Sequence, residues 1–408
     1  MNSSYRTILV VIAVAIFYSN SHEYLHQAYS VGIPWHWVLA FIILSLPLLT
    51  RQLITADILR LPIVVWCFGY VWVTMVWFII GSQSEMAWQE VRWRLLAIFE
   101  ILSFLAIFLD AQATRVARLT LVVAVHAGTM INVYELFVPM SFSNVFGRSA
   151  GLYVNANTSA EALVLGMILA VTALPSWYRS VFILLVGGGV FVTYSRAGLI
   201  GWLIAVVGLM LGRFISTTHV IRTGLITLFL IGLVLLPKAD QILTTLERTR
   251  SLNPDTQERL AWLMNPLGVE DSSSWSRKAI AREAWERVGE HPFLGGGTGA
   301  VHRGLDIPPH NQFLSHMIDH GLFGAMLVPL LLLTLLWRAE EDSRCVVFIF
   351  SSVILWFSFF THQLLSNTYN LLLLALISAL VARRDYRKDQ ANEGRITTHS
   401  DQWQPTNA

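Results

Sequence analysis

A single arginine separates two apolar stretches in the sequence Tyr-Ser-Arg-Ala-Gly at residues 194–198. The turn is so short that Arg196 is expected to lie at a membrane face. A guanidinium binds phosphate oxygens through two parallel hydrogen bonds, so Arg196 is a candidate clamp for a phosphate group. The alternative is an arginine that extends to the lipid headgroups, and this residue alone does not separate the two interpretations.

Two further candidate residues, Arg277 and Arg282, lie on a helix predicted over residues 276–290. A spacing of five does not place the two side chains on one face of a helix. Glutamates alternate with the basic residues of this segment, which favours a solvated helix with internal ion pairs as the explanation of most of its charges.

A small polar loop precedes the apolar segment that begins near residue 153. Its residues Arg148, Asn155 and Asn157 are candidates for holding a sugar or a phosphate. For the asparagines, a loop with a helix cap at Asn157 or Thr158 is the simpler interpretation.

His310 follows two prolines and opens a predicted helix. An imidazole at a helix start can act as a base near neutral pH, and the positive end of the helix attracts an anion. Taken alone, a histidine here is more often a cap or an interfacial residue. His316 and His320 follow with a spacing that metals can use, but the acidic residue of the usual zinc motif is missing, so no metal site is predicted.

These residues belong to a chain that is too apolar for a soluble protein. Of its 408 residues, 55% are hydrophobic and 13% are charged, whereas soluble proteins contain roughly a quarter charged residues. A net charge of +2 gives no reason to expect nucleic-acid binding. Both cysteines, Cys67 and Cys345, lie in apolar runs, so the sequence predicts neither a disulfide framework nor a zinc site.

A membrane-spanning helix needs about 20 mostly apolar residues. The candidate spans are residues 5–20, 35–50, 60–81, 94–110, 117–140, 153–175, 178–194, 197–213, 220–237, 310–337, 343–361 and 367–383. The first of them is expected to be retained, since no signal-peptide cleavage site follows it. The predicted fold is an all-α polytopic membrane protein of about twelve transmembrane helices, with one large periplasmic loop between helices 9 and 10.

The predicted domains follow from these spans. Residues 1–237 hold helices 1–9, residues 238–309 form the loop domain, residues 310–384 hold helices 10–12, and residues 385–408 form a disordered cytoplasmic tail. The segment 310–337 exceeds one bilayer span. Its internal glycines at 321 and 324 predict that it bends there or that it begins above the membrane.

The distribution of basic residues predicts the orientation of the chain. With the N-terminus inside, the short inside connections and the tail are rich in arginine, whereas the short outside loops carry only Arg92, Arg94, Arg148 and Arg196. Short cytoplasmic loops carry the excess of Lys and Arg in membrane proteins. Both termini are therefore predicted to be cytoplasmic, and the candidate chemical residues to face the periplasm.

The candidate residues together form a recognisable pattern. His-Asn at residues 310–311, nine further residues and Gly-Leu-Phe-Gly at residues 321–324 resemble the pattern H-[NSQ]-x9-G-x-x-G shared by O-antigen ligases, O-antigen polymerases and bacterial O-oligosaccharyltransferases. Similar features are the Ser-Arg-Ala-Gly sequence at 195–198, the stretch 148–157, and Arg277, fourteen residues before a His-Pro pair and a Gly-rich loop. By motif the resemblance covers about residues 145–325, and by topology the whole chain.

The resemblance, closest to the O-antigen ligases, implies a metal-independent glycosyltransferase without a cofactor. Such enzymes move a glycan from undecaprenyl diphosphate to an acceptor at the periplasmic face of the bacterial inner membrane, and in the ligases the acceptor is lipid A–core. The catalytic residues of the family would fall on Arg196, Arg277 and His310. The substrate-binding residues would be Arg148, Asn155, Asn157, Arg282 and Asn311.

One departure from the family pattern concerns the loop helix. Relatives often carry an aromatic residue four positions after the loop arginine, whereas this chain has Ala281 there and Trp285 one turn later. The choice between Arg277 and Arg282 as the essential loop arginine is therefore open.

Three alternatives to a ligase stand beside this interpretation. A polymerase of the same superfamily would join lipid-linked repeat units to one another. An enzyme that glycosylates proteins is less favoured, because those relatives carry a larger C-terminal portion. A transporter would require inverted repeats and charges at mid-membrane. The sequence shows no repeat, and the acids nearest to that description are Glu161 and Glu135.

Overall fold

The computed structural model describes residues 3–235, 237, 254–264, 272–303, 305 and 307–382. The predicted disordered tail, residues 385–408, and much of the predicted loop domain, residues 238–309, lie outside the described residues.

Helices account for most of the described chain, and no strand occurs within it. They are α1 (Ser3–Ile12, continued by a π-helix Ala13–Tyr18), α2 (Ser21–Tyr29), α3 (Pro34–Ile54), α4 (Pro62–Ile80), α5 (Glu85–Phe108), α6 (Ala111–Phe137), α7 (Ala156–Val171), α8 (Ser176–Phe191), α9 (Arg196–Leu211), α10 (Thr217–Leu235), α11 (Pro254–Met264), α12 (Ser272–Glu290), α13 (Gln312–His320), α14 (Leu322–Trp337), α15 (Glu341–Ser358) and α16 (Thr368–Ala382).

Several of these helices suit a lipid environment. Helices α3, α4 and α6 are long and apolar enough to cross a membrane, and the bent pair Ser3–Tyr18 and Ser21–Tyr29 would be a fourth crossing. Six further apolar helices in the described part are shorter, with 10–17 residues. Large apolar side chains such as Val65, Trp72 and Phe229 are two-thirds exposed, which water would penalise and lipid does not. This architecture fits an all-helical membrane protein.

Each predicted span coincides with a helix or with a pair of consecutive helices. The predicted bend within 310–337 is confirmed, because the chain breaks at Gly321 between α13 and α14. The predicted loop helix 276–290 is also present, as α12, and it begins four residues earlier. The number of membrane crossings stays a prediction.

Two helices form the centre of the bundle. Nearly every residue of α7 and of α16 is buried, so both are enclosed by other helices rather than by solvent or lipid. A hydrogen bond of 2.7 Å from the Asn370 amide to the Glu161 carboxylate joins them. The in-span acid Glu161 is therefore held by a polar partner in the core, as a buried carboxyl group requires.

The connections that carry the candidate residues meet at one end of the bundle. The backbone N–H of Ser149 donates to the Val192 carbonyl at 3.2 Å, which joins the loop after α6 to the turn before α9. The Gly-rich loop after α12 reaches the end of α4, because the Arg303 guanidinium donates to the Ser82 carbonyl at 3.1 Å. Helices that enclose a polar end in this way can present a site built from several loops.

Candidate functional site

Arg196 is the first residue of α9, as the sequence predicts for the opening of its eighth span. The Ser195 hydroxyl caps the helix by accepting a hydrogen bond of 3.2 Å from the N–H of Gly198. The Arg196 guanidinium lies over the ring of Trp262 in α11, 5.4 Å from the ring centroid. The side chain is partly exposed at the helix start, where both its charge and the free N–H groups favour an anion.

The polar loop before α7 supports the turn that presents Arg196. The Arg148 guanidinium donates to the Thr193 carbonyl at 3.1 Å and to the Asn157 side-chain oxygen at 2.9 Å. Arg148 and Asn157 therefore hold this turn in place, and a direct contact of either residue with substrate remains a prediction.

The helix cap of α7 differs from the predicted one. The cap is Asn155, whose side-chain oxygen accepts hydrogen bonds from the N–H groups of Asn157 and Thr158, and not Asn157 or Thr158. The prediction was wrong by two or three residues because Asn155 and Asn157 fit the cap pattern equally well.

Glu135, one of the two acids considered for a transporter, has a structural role. Its buried carboxylate accepts backbone hydrogen bonds from Phe142, Ser143, Ala150 and Gly151. Four N–H donors satisfy the charge and fold the loop 138–151 back onto the end of α6. This acid consequently gives no support to a transport pathway.

Helix α12 presents its two candidate arginines on different sides. Ala284 and Val288 are buried against Ile318 of α13. Arg277 precedes Ala284 by seven residues and shares that packed face, and its side chain is partly buried, whereas Arg282 is exposed. The geometry separates the two arginines that the sequence left unresolved.

His310 lies two residues before α13 rather than opening it, because Asn311 caps this helix by accepting a hydrogen bond of 3.0 Å from the N–H of Leu314. The His310 ring is exposed and its centroid is 5.5 Å from that of His362. Partial burial and the positive charge of Arg277 lower the pKa of His310 below its usual range. Arg277 and His310 are therefore close enough to interact electrostatically.

Helix α15 and the segment that follows it connect the Arg196 position to the His310 position. The Trp356 indole donates to the Ala197 carbonyl at 2.9 Å, next to Arg196. Six residues further along the chain, His362 contacts the ring of His310. Arg196, Arg277 and His310 thus lie at the same end of the bundle, although they come from three separate regions of the sequence.

A polar cavity of about 510 Å³ opens beside His362. Its walls come from α2, α4, α5, α13, residues 301, 302 and 308, and the segment 362–367. Sequence reasoning missed this cavity, since most of its polar residues lie within helices or in connections without a motif. The signal that could have pointed to it was a set of charges of both signs near the ends of apolar segments.

Arg94 lines this cavity and lies at the centre of a network of polar side chains. The sequence predicts a position in a short outside loop, whereas Arg94 lies within α5 and is 5% exposed; its side of the membrane stays a prediction. Its guanidinium donates to the Glu90 carboxylate at 2.7 Å and also contacts Asp319 and His320. Removing one member of such a buried set leaves a charge without a partner, at a typical cost of about 3–5 kcal/mol.

Two histidines complete the polar wall. The Nε2 atoms of His316 and Gln312 are 2.8 Å apart, so the Gln312 amide donates to the imidazole. His302 lies 3.4 Å from the Glu90 carboxylate, and this contact raises the pKa of His302. His302 and His316 therefore have polar partners within the protein.

The arrangement can support nucleophilic substitution at a carbon atom whose leaving group is a phosphate. An imidazole with a lowered pKa is neutral near pH 7 and can accept a proton. Arginines near it stabilise an anion that departs from the same place. The geometry thus provides a base and positive charge at one end of a membrane protein.

Comparison with known proteins agrees with this chemistry. Residues 181–329 match the family model described as O-antigen ligase, and this range contains Arg196, Arg277 and His310. A search of curated proteins finds no match for this sequence. The match over residues 181–329 supports the O-antigen ligase superfamily that the motifs predicted.

Proposed function

We propose that the protein is an O-antigen ligase, which transfers O-antigen polysaccharide from undecaprenyl diphosphate to lipid A–core. The observation that carries the proposal is the placement of Arg196 and His310 at one end of the bundle, joined through Trp356 and His362. Burial and the charge of Arg277 also lower the pKa of the His310 imidazole. A base beside a fixed positive charge suits a reaction that takes a proton from one substrate and releases an anion from the other.

The proposed step is a single displacement at the anomeric carbon of the donor. An acceptor hydroxyl oxygen forms the new glycosidic bond while the bond from the anomeric carbon to the diphosphate oxygen breaks. The electron pair of the broken bond goes to the diphosphate, and the hydroxyl proton goes to Nδ1 or Nε2 of His310. Arg196 and Arg277 bind the diphosphate and so take the part that a divalent cation plays in many phosphate-transfer sites.

The proposal includes the placement of the protein. The site lies at the periplasmic face of the inner membrane, both termini are cytoplasmic, and residues 238–309 form a periplasmic domain. The excess of arginine in the opposite connections supports this orientation. The prenyl chain of the donor then stays in lipid while its glycan stays in water, and no nucleotide sugar is needed.

A purified-component assay tests the function. The protein in detergent receives lipid-linked O-antigen as donor and lipid A–core as acceptor, with and without a chelator of divalent cations. We expect glycan-bearing lipid A–core in both conditions. Elongation of the lipid-linked donor without any product on lipid A–core would show a polymerase, and loss of transfer with the chelator would contradict the role given to the arginines.

A matched pair of substitutions on α12 tests the role of the loop arginine. Arg277→Ala is expected to lower kcat by about 10²–10³-fold, the loss typical of removing one oxyanion-stabilising donor. Arg282→Ala removes the same side chain from the exposed side of the same helix and is expected to change kcat by about twofold at most. Equal losses in the two variants, measured in the purified assay, would reject the assignment of Arg277.

A further inference from the structure

The cavity beside His362 differs in charge from the region that contains Arg196 and Arg277. Its one buried guanidinium, that of Arg94, is held by the carboxylates of Glu90 and Asp319. His302 is likewise paired with Glu90. The positive charges of the cavity are therefore already matched by carboxylates, which makes it a poor site for a diphosphate.

Apart from Glu23, whose carboxyl group can accept hydrogen bonds from hydroxyl groups, the remaining surface of the cavity fits an uncharged molecule with many hydroxyl groups. Gln89, Gln363 and Asn367 supply amide donors and acceptors, and Trp93 supplies an apolar face that is 44% exposed. A few fixed polar groups beside an aromatic surface are typical of small-molecule sites, and a volume of about 510 Å³ lies within their range of roughly 300–1,000 Å³.

His362 connects this cavity to the proposed base. It lines the cavity, and its ring centroid lies 5.5 Å from that of His310. Its Nδ1 atom is buried and has no hydrogen-bonding partner among the described residues. A buried polar atom without a partner is costly, and a rotation of the His362 ring toward the cavity would bring Nδ1 within reach of a hydroxyl group of a bound ligand.

We propose that the cavity is the subsite for the uncharged sugar of the acceptor, bound by Trp93 and Gln89, and that His362 positions its hydroxyl group beside His310. This inference rests on the proposed function, since it divides the reaction into a donor side at the arginines and an acceptor side at the cavity. His310 then lies between the two substrates, where a base that accepts the acceptor proton must be.

Two substitutions in the cavity, each with a matched control, test the subsite. Trp93→Ala and Gln89→Ala should each raise the acceptor KM by about tenfold, which corresponds to about 1.4 kcal/mol, while kcat and the donor KM stay within about twofold. The controls are Trp88→Ala and Gln83→Ala. Trp88 is similarly exposed, at 49%, and neither control residue lines the cavity. Both controls should leave both KM values unchanged.

The outcomes separate this inference from the proposed function. If the wild type extends a second lipid-linked glycan instead of lipid A–core, the ligase assignment fails, and the acceptor KM is then measured with that glycan. A raised donor KM in the Trp93 and Gln89 variants, or effects equal to those of the controls, would overturn the acceptor subsite in either case.

The positioning role of His362 has a separate test. His362→Ala should lower kcat/KM for the acceptor by about tenfold or more and leave the donor KM unchanged. His362→Gln keeps hydrogen-bonding groups at this position and should restore most of the loss. Equal impairment of the alanine and glutamine variants, or a raised donor KM, would contradict the role.

Discussion

Substitution of His310 by alanine is expected to abolish measurable transfer while the protein still inserts into the membrane and folds. Loss of general-base assistance lowers a rate by about 10²–10⁴-fold. The expected defect is in kcat, because His310 receives a proton only as the new bond forms. The ring is exposed and precedes α13, so its removal leaves no cavity in the core.

His219→Ala is the control for this variant. His219 is an exposed histidine near the start of α10, remote in sequence from every candidate residue. We expect wild-type transfer in this variant and equal membrane yields of both proteins. Transfer by the His310 variant within about tenfold of the wild-type rate would contradict a general-base role.

The pH dependence provides a second measure of the same role. His310 must be neutral to accept a proton, so activity should fall as the pH drops through its pKa. Burial and Arg277 lower that pKa, so the acid limb of the wild-type profile should lie below the usual histidine range. In Arg277→Gln the positive charge is lost, and the acid limb of the residual activity should move to higher pH.

Arg196→Lys is expected to reduce transfer by about 10²-fold or more, although the substitution preserves the positive charge. Lysine provides a point charge and lacks the planar fork that binds two phosphate oxygens together. The substitution also removes the delocalised guanidinium cation, which stacks over the Trp262 ring at 5.4 Å. Both effects displace the charge from the place where the diphosphate would develop its negative charge.

Arg92→Lys serves as the control for Arg196→Lys. Arg92 is 65% exposed and pairs with Glu85 at 2.8 Å at the start of α5. Exposed ion pairs contribute little, typically about 0–1 kcal/mol, so this exchange should leave transfer unchanged in the purified assay. Wild-type rates in the Arg196 variant would show that charge alone suffices there and would remove the argument for a bidentate clamp.

The helices were predictable because apolar length is a strong signal. Spans such as those of α3 and α4 coincide with uninterrupted apolar runs. The bend at Gly321 was also predictable, since glycine permits the positive φ of 59° found there. The limits of single helices were less certain, and the start of α13 two residues after His310 follows from the cap at Asn311.

The polar cavity was not predictable from the sequence. Arg94 and Asp319 are separated by more than two hundred residues, and their contact depends on how α5 packs near α13. Periodicity and charge bias describe each helix singly and carry no information on such pairs. The grouping of Arg277 with His310 came from the family resemblance, and the structure adds the helix face that distinguishes Arg277 from Arg282.

The break between α13 and α14 changes the meaning of the pattern H-[NSQ]-x9-G-x-x-G. A methyl group on Gly324 would collide with the His316 carbonyl, and one on Gly321 with the Phe293 carbonyl. Neither glycine has a side chain that could react. The pattern thus combines His310, the residue with a reactive side chain, with two glycines. Because these glycines have no side chain, they set how closely α14 and the Gly-rich loop approach α13. Even an alanine at either glycine position would push these elements apart and so shift His310, without altering any group that takes part in the reaction.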